Sequence, residues 1–331
     1  MKRLIYSFVF LALFFPGFAQ QTGTEMGTIE FISDDLSGII NKNAKVEIVA
    51  DGFQFTEGPL WVDKYKMLLF SDVPGNTIYK WTEEKGKEVY VKPGGYTSPE
   101  PRGGFMGPNG LMLTNDGRLL LCQHGDRRIA MMDAPLDAPA SKFITVAGEY
   151  EGKKLNSPND LLVTGNGDIY FTDPSYGLER GARDPKKEIP FQGVYKVDKA
   201  GKVTLLIDSI EQPNGIGFLP GGKTLIISNS DARKKRWYAY DMTANGELTN
   251  ARIFYDVSNE QGMGGCDGFK IDKDGNVFAA GPGGLWIFNK AGKLLGRIRV
   301  NGVTAANCAL TADGKTIYIT ASQYLLRVKM R

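Results

Sequence analysis

The chain has 331 residues, 42% of them hydrophobic and 23% charged, with a formal net charge of +3. These proportions exclude a disordered chain, and a lone basic cluster at Arg233-Lys234-Lys235-Arg236 gives no stripe for a nucleic acid. One histidine (His124) and three widely spaced cysteines (Cys122, Cys266, Cys308) offer neither a zinc spacing nor a disulfide framework, so the cysteines read as buried small apolar residues.

Residues 1–19 read as a signal peptide. Lys2-Arg3 precede an apolar run from Leu4 to Phe15, and Gly17-Phe18-Ala19 forms a small-x-small cleavage site. A secreted or periplasmic protein is expected, with no membrane attachment after cleavage. Residues 20–44 are polar and Gly-containing and read as a leader with weak structure. Lys45 to Ala50 then alternates polar and apolar residues at the strand period of two.

From there one sentence pattern recurs. A short apolar strand opens on an acid or amide, a Gly-containing turn follows, and a second strand returns. The six openings are Glu57-Gly58, Asn109-Gly110, Asn159-Asp160, Asn214-Gly215, Asp267-Gly268 and Asn307-Cys308. They recur at intervals of roughly 50 residues, shortening to about 40 at the end, and no amphipathic helix intervenes. Units of four short strands at that period predict an all-β, six-bladed β-propeller over residues 45–331. The last unit has room for three strands, so the strand at Lys45 to Ala50 is expected to close it and remove a free sheet edge. Loops 92–108 and 176–192 are expected to shape the pocket.

In a propeller the first strand of each blade lines the central channel, so Glu57, Asn109, Asn159, Asn214, Asp267 and Asn307 should meet at one mouth. Their Asn-Gly and Asp-Gly pairs resemble turns, yet each unit has a turn several residues later, leaving too little strand between two. Every one of the six presents oxygen. Such a hard donor set suits Ca²⁺, with Mg²⁺, Mn²⁺ or Zn²⁺ as alternatives, and two carboxylates balance a divalent charge.

The segments Glu57-Gly58-Pro59-Leu60-Trp61, Gln123-His124-Gly125-Asp126-Arg127-Arg128, Asn156-Ser157-Pro158-Asn159-Asp160, Phe171-Thr172-Asp173-Pro174-Ser175-Tyr176-Gly177, Pro213-Asn214-Gly215 and Cys266-Asp267-Gly268 resemble the gluconolactonase/senescence-marker-protein (regucalcin) family, in its bacterial gluconolactonase branch. The resemblance implies a six-bladed propeller with a divalent cation in the channel, held by Glu57, Asn214 and Asp267, with Asn159 as ligand or substrate contact. It also places His124, Asp173 and Tyr176 on the substrate side, beside Asn109 and Asn307. The chemistry expected is lactone hydrolysis by a metal-activated water, with Asp267 as base and Glu57 as second candidate. Phosphotriesters or other lactones are alternative substrates, and a non-catalytic ligand-binding propeller is the alternative class. A Ser-His-Asp triad finds no Gly-x-Ser-x-Gly elbow here, and a single imidazole rules out a histidine dyad.

Overall fold

The computed structural model describes residues 25–331; the segment read as a signal peptide lies outside them. Among the described residues, no helix is long and apolar enough to cross a membrane.

Six antiparallel sheets follow one another around a ring. The first blade uses Thr56–Val62, Met67–Asp72, Thr77–Thr82 and Gly86–Val91 from the axis outward. The second runs Pro108–Leu113, Leu119–Gln123, Arg128–Met132 and Phe143–Ala147, and the third Leu161–Val163, Ile169–Asp173, Gly193–Val197 and Val203–Ile207. The fourth runs Pro213–Phe218, Thr224–Asn229, Arg236–Met242 and Leu248–Asp256. The fifth runs Phe269–Ile271, Val277–Gly281, Gly284–Phe288 and Leu294–Val300. The sixth supplies Ala305–Leu310, Thr316–Ala321 and Tyr324–Lys329, and Glu47–Ala50 adds its fourth strand, pairing with Tyr324–Lys329. The expected closure is therefore the observed one. Arg327 seals it, with its guanidinium 2.8 Å from Glu47.

The inner strands are joined by turns whose last glycine takes a left-handed backbone, as at Gly117 (φ 84°) and Gly275 (φ 89°). The second strands of the first three blades and of the fifth are buried along their whole length. Both their faces meet neighbouring blades, which explains why Met67-Leu68-Leu69-Phe70 and Leu119-Leu120-Leu121-Cys122 read as continuous apolar runs. Among the described residues, six apolar clusters fill the six gaps between blades. The ring is thus held by sheet-on-sheet packing on every side. All three cysteines are free and buried in it, as expected.

The leader differs from its sequence reading. Gly27–Phe31 is a strand that pairs with Leu294–Val300 and gives the fifth blade a fifth strand. A short 3₁₀ turn, Asp34–Gly38, follows, and Leu36 and Ile40 are fully buried between the fifth and sixth blades. Its hydrogen bonds come from the edge of a blade nearly three hundred residues away, so the local sequence shows only a weak apolar patch.

The glycines after the opening residues have a packing cause. A Cβ at Gly58 would lie 1.9 Å from the Asn109 carbonyl oxygen, one at Gly110 2.7 Å from that of Asn159, and one at Gly215 2.8 Å from that of Asp267. At Gly268 it would meet the Asn307 side-chain amide at 2.0 Å. Each blade's opening residue is carried against the bare backbone of its neighbour. Gly110→Ala is therefore expected to cost about 1–3 kcal/mol and to displace Asn159, whereas Gly38→Ala, with nothing within 4 Å, should stay near wild type. Denaturant titration of the two variants checks this; equal stability would remove the close-approach argument.

Candidate active site

The opening residues stand at or just before the innermost strands. Glu57, Asn109 and Asn214 lie within them; Asn159 and Asp267 each stand two residues before theirs. Hydroxyls from the second strands fix their carbonyls: Ser71 donates to Asn109 O at 2.7 Å, Thr172 to Asn214 O at 2.6 Å and Ser228 to Asp267 O at 2.8 Å. Glu57, Asn109, Asn159, Asn214 and Asp267 line one cavity of about 300 Å³ at the channel mouth. That is the size at which pockets begin to enclose small ligands. Phe55, Phe105, His124 and Tyr176 form walls, the last two loops of the sequence reading supplying Phe105 and Tyr176. Arg102 straps those loops together by donating to the Gly125 and Gly177 carbonyls.

Two expected site residues are elsewhere. Asn307 is buried and is not among the residues lining the cavity: its Oδ1 accepts the Cys308 N–H at 2.8 Å and lies 3.4 Å from Lys270 Nζ. It packs beside the cavity, within reach of Lys270. The space left by the missing Gly268 side chain draws its amide inward. Asp173 is a support. Its two oxygens accept the N–H groups of Asn156 (2.7 Å) and Ser157 (2.8 Å), fixing the segment that delivers Asn159. Burial pushes its carboxyl up to about 7, against the pull of those two bonds. Asp72 and Asn229 repeat this device at the ends of their own second strands, holding Phe55 and Gln212.

Tyr176 lines the cavity, its hydroxyl donating to Gln212 Oε1 at 3.0 Å. His124 Nδ1 lies 3.2 Å from the Phe105 carbonyl, and its Nε2 lies 3.4 Å from Asn109 Nδ2. Burial pushes this imidazole down to about 4.

The electrostatics are lopsided. Glu57 and Asp267 are both raised, first by burial, and Glu57 in turn raises Asp267. A third buried carboxylate, Asp160, raises both, and burial raises its own carboxyl too. Against these three acids stands Lys270, 3.8 Å from Asp160. Asp160 and Lys270 escaped the sequence reading because they fall inside strand-like apolar text. The one local signal was that Asp160 follows Asn159 where four of the other five units place glycine.

Each acid turns one oxygen to the next residue's N–H: Glu57 Oε2 to Gly58 at 2.9 Å and Asp267 Oδ1 to Gly268 at 3.1 Å. Among the described residues, no three His, Cys, Asp or Glu side chains are grouped as a metal would need. A cation here would rest on amide oxygens from Asn159 and Asn214 as well as on the two carboxylates. That set is all oxygen, and a bound cation would favour the ionised form of the two acids that burial otherwise holds toward neutrality.

Residues 55–323 match the family described as SMP-30/Gluconolactonase/LRE-like region. The gluconolactonase of Zymomonas mobilis is 36% identical over 93% of this chain and 88% of its own. The solved structure of a Xanthomonas campestris gluconolactonase superposes with a TM-score of 0.79 at 28% identity, covering 94% of this chain and 98% of that one. A calcium-binding regucalcin from Agrobacterium tumefaciens shares the fold at 19% identity, with a TM-score of 0.65 over 86% and 94% of the two chains. The chain belongs to the SMP-30/gluconolactonase family.

Proposed function

We propose that this protein hydrolyses sugar lactones such as gluconolactone with the help of a divalent cation, Ca²⁺ by preference, held by Glu57, Asn214, Asp267 and Asn159. The observation that carries the reading is the convergence of five oxygen-bearing side chains from five blades on one cavity, two of them carboxylates raised first by burial and then by neighbouring acids, Asp160 beside Glu57 and Glu57 beside Asp267. Family membership and the 36% identical gluconolactonase support the lactone-hydrolysing class. Calcium as the ion is supported by the donor chemistry and by the regucalcin fold relative. Export is supported by the signal-like residues 1–19.

When bound, the cation would polarise the ester carbonyl and acidify a water. The rest falls to the chain. The amides and Tyr176 orient the lactone, while Phe55 and Phe105 cover its apolar ring face. Asp267 holds the Gly268 N–H with Oδ1, which leaves Oδ2 to take the proton of the attacking water. The water oxygen bonds to the carbonyl carbon and the tetrahedral intermediate collapses. The ring C–O bond breaks, and the proton on Asp267 passes to the departing alkoxide, giving the open hydroxy acid. A carboxylate raised toward neutrality accepts and returns a proton better than an exposed one. Glu57, the more buried acid, is the second candidate for this role.

Asp267→Asn is expected to lower kcat by about 10²–10⁴-fold while calcium still binds by calorimetry; wild-type turnover in this variant would transfer the role to Glu57. Chelation should abolish turnover on a lactone panel and added Ca²⁺ restore it, and undiminished turnover in EDTA would end the metal-dependent reading.

The raised acids also set a sign for stability. A carboxylate raised in the folded state stabilises most below its unfolded pKa, and that contribution is lost as pH rises through the folded value. The melting temperature of the cation-free protein should therefore fall as pH climbs from the ordinary carboxylate range toward neutrality. Ca²⁺ should raise it more at about pH 8 than at about pH 5. Glu57→Gln is expected to flatten the cation-free slope, and a calcium effect independent of pH would contradict the assignment.

A further inference from the structure

The single histidine and its neighbour give the cavity wall a fixed hydrogen-bond polarity. The Phe105 carbonyl can only accept, so His124 must present Nδ1–H to it across 3.2 Å. Burial keeps the ring neutral at working pH. A neutral imidazole has one N–H, so Nε2 is left as an acceptor. The Asn109 side chain, 3.4 Å away, must then turn its Nδ2–H group toward His124. That fixes the amide against flipping and points Oδ1 the other way. Asn109 Oδ1 is buried and finds no hydrogen-bond partner among the described residues, yet its residue lines the cavity. A buried amide oxygen without a donor is costly unless a ligand supplies one.

We propose that Asn109 Oδ1 is the acceptor for a hydroxyl hydrogen of the substrate, and that His124 is a positioning residue which locks that orientation. This rests on the lactonase reading and deepens it. The enzyme would prefer lactones carrying a hydroxyl donor over unsubstituted aliphatic lactones of the same ring size. His124 itself has both ring nitrogens engaged and so contacts substrate through no hydrogen bond of its own. The carbonyl that sets its tautomer belongs to the loop residue Phe105, whose ring is a cavity wall, so the same loop shapes the pocket and orients the amide.

The test compares D-glucono-δ-lactone with δ-valerolactone, which has the ring but no hydroxyl. In Asn109→Leu the ratio of kcat/KM for the two lactones should fall by about 10–100-fold, through KM of the hydroxylated substrate more than through kcat. His124→Phe should lower the same ratio, because Asn109 is freed to flip, and His124→Gln, which keeps a donor and an acceptor, should recover it. The tautomer is read separately by ¹⁵N NMR of protein purified without a polyhistidine tag, in which His124 is the only imidazole. Nδ1 protonated and Nε2 bare supports the assignment; an Nε2–H tautomer or an imidazolium at pH 7 overturns it, whatever the variants do. Turnover of both lactones with an unmoved ratio in a folded Asn109→Leu protein overturns the acceptor role and leaves the lactonase reading standing. Turnover of neither lactone by wild-type protein overturns that reading and the substrate preference with it, and the NMR result still decides the tautomer.

Discussion

The constraint on which this structure depends is the distance of approach at the axis. Six inner strands can bring their opening residues within reach of one small ligand only if neighbouring backbones touch there. The chain meets this with glycine at Gly58, Gly110, Gly215 and Gly268, each lying under a carbonyl or amide of the next blade. Hydroxyls at Ser71, Thr172 and Ser228 then tie those carbonyls down from the second strands. Apolar packing between blades supplies the stability, but these contacts at the narrow centre decide where each side chain points.

Crowding acids at that centre is unfavourable. Glu57, Asp160 and Asp267 are all buried enough to resist ionisation, and Lys270 reaches only part of the charge. The fold tolerates this because each carboxylate keeps hydrogen bonds from rigid backbone, and because six well-packed interfaces prevent the centre from relaxing outward. A site that remains unbalanced without a ligand is suited to binding a cation, and it is arranged before any cation arrives.

Blade number and closure were legible from the spacing of the openings and from the missing fourth strand of the last unit, because those are properties of a repeat. The site was legible as far as the repeat held. Glu57, Asn109, Asn159, Asn214 and Asp267 share a cavity because they occupy equivalent positions. Asn307 occupies the sixth and is drawn off by the void beside Gly268, a three-dimensional accident that the repeat does not encode. Asp173 carried a motif that signals function, yet its oxygens are used on the Asn156 and Ser157 amides. Asp160 and Lys270 were hidden because a charged residue inside an apolar strand looks like an interruption until its partner is seen. The strand at Gly27–Phe31 was invisible for another reason: its pairing partner, Leu294–Val300, lies at the far end of the chain.

That far pairing bears on how the molecule comes to exist. Two of the earliest described strands, Gly27–Phe31 and Glu47–Ala50, complete sheets whose neighbouring strands end at Val300 and Lys329. Until those partners have been made neither segment can take its place in its sheet, and the circle stays open until Tyr324–Lys329 is available. Contacts of such long sequence separation make for slow assembly, so closing the ring is a slower step than forming the neighbouring hairpins of each blade.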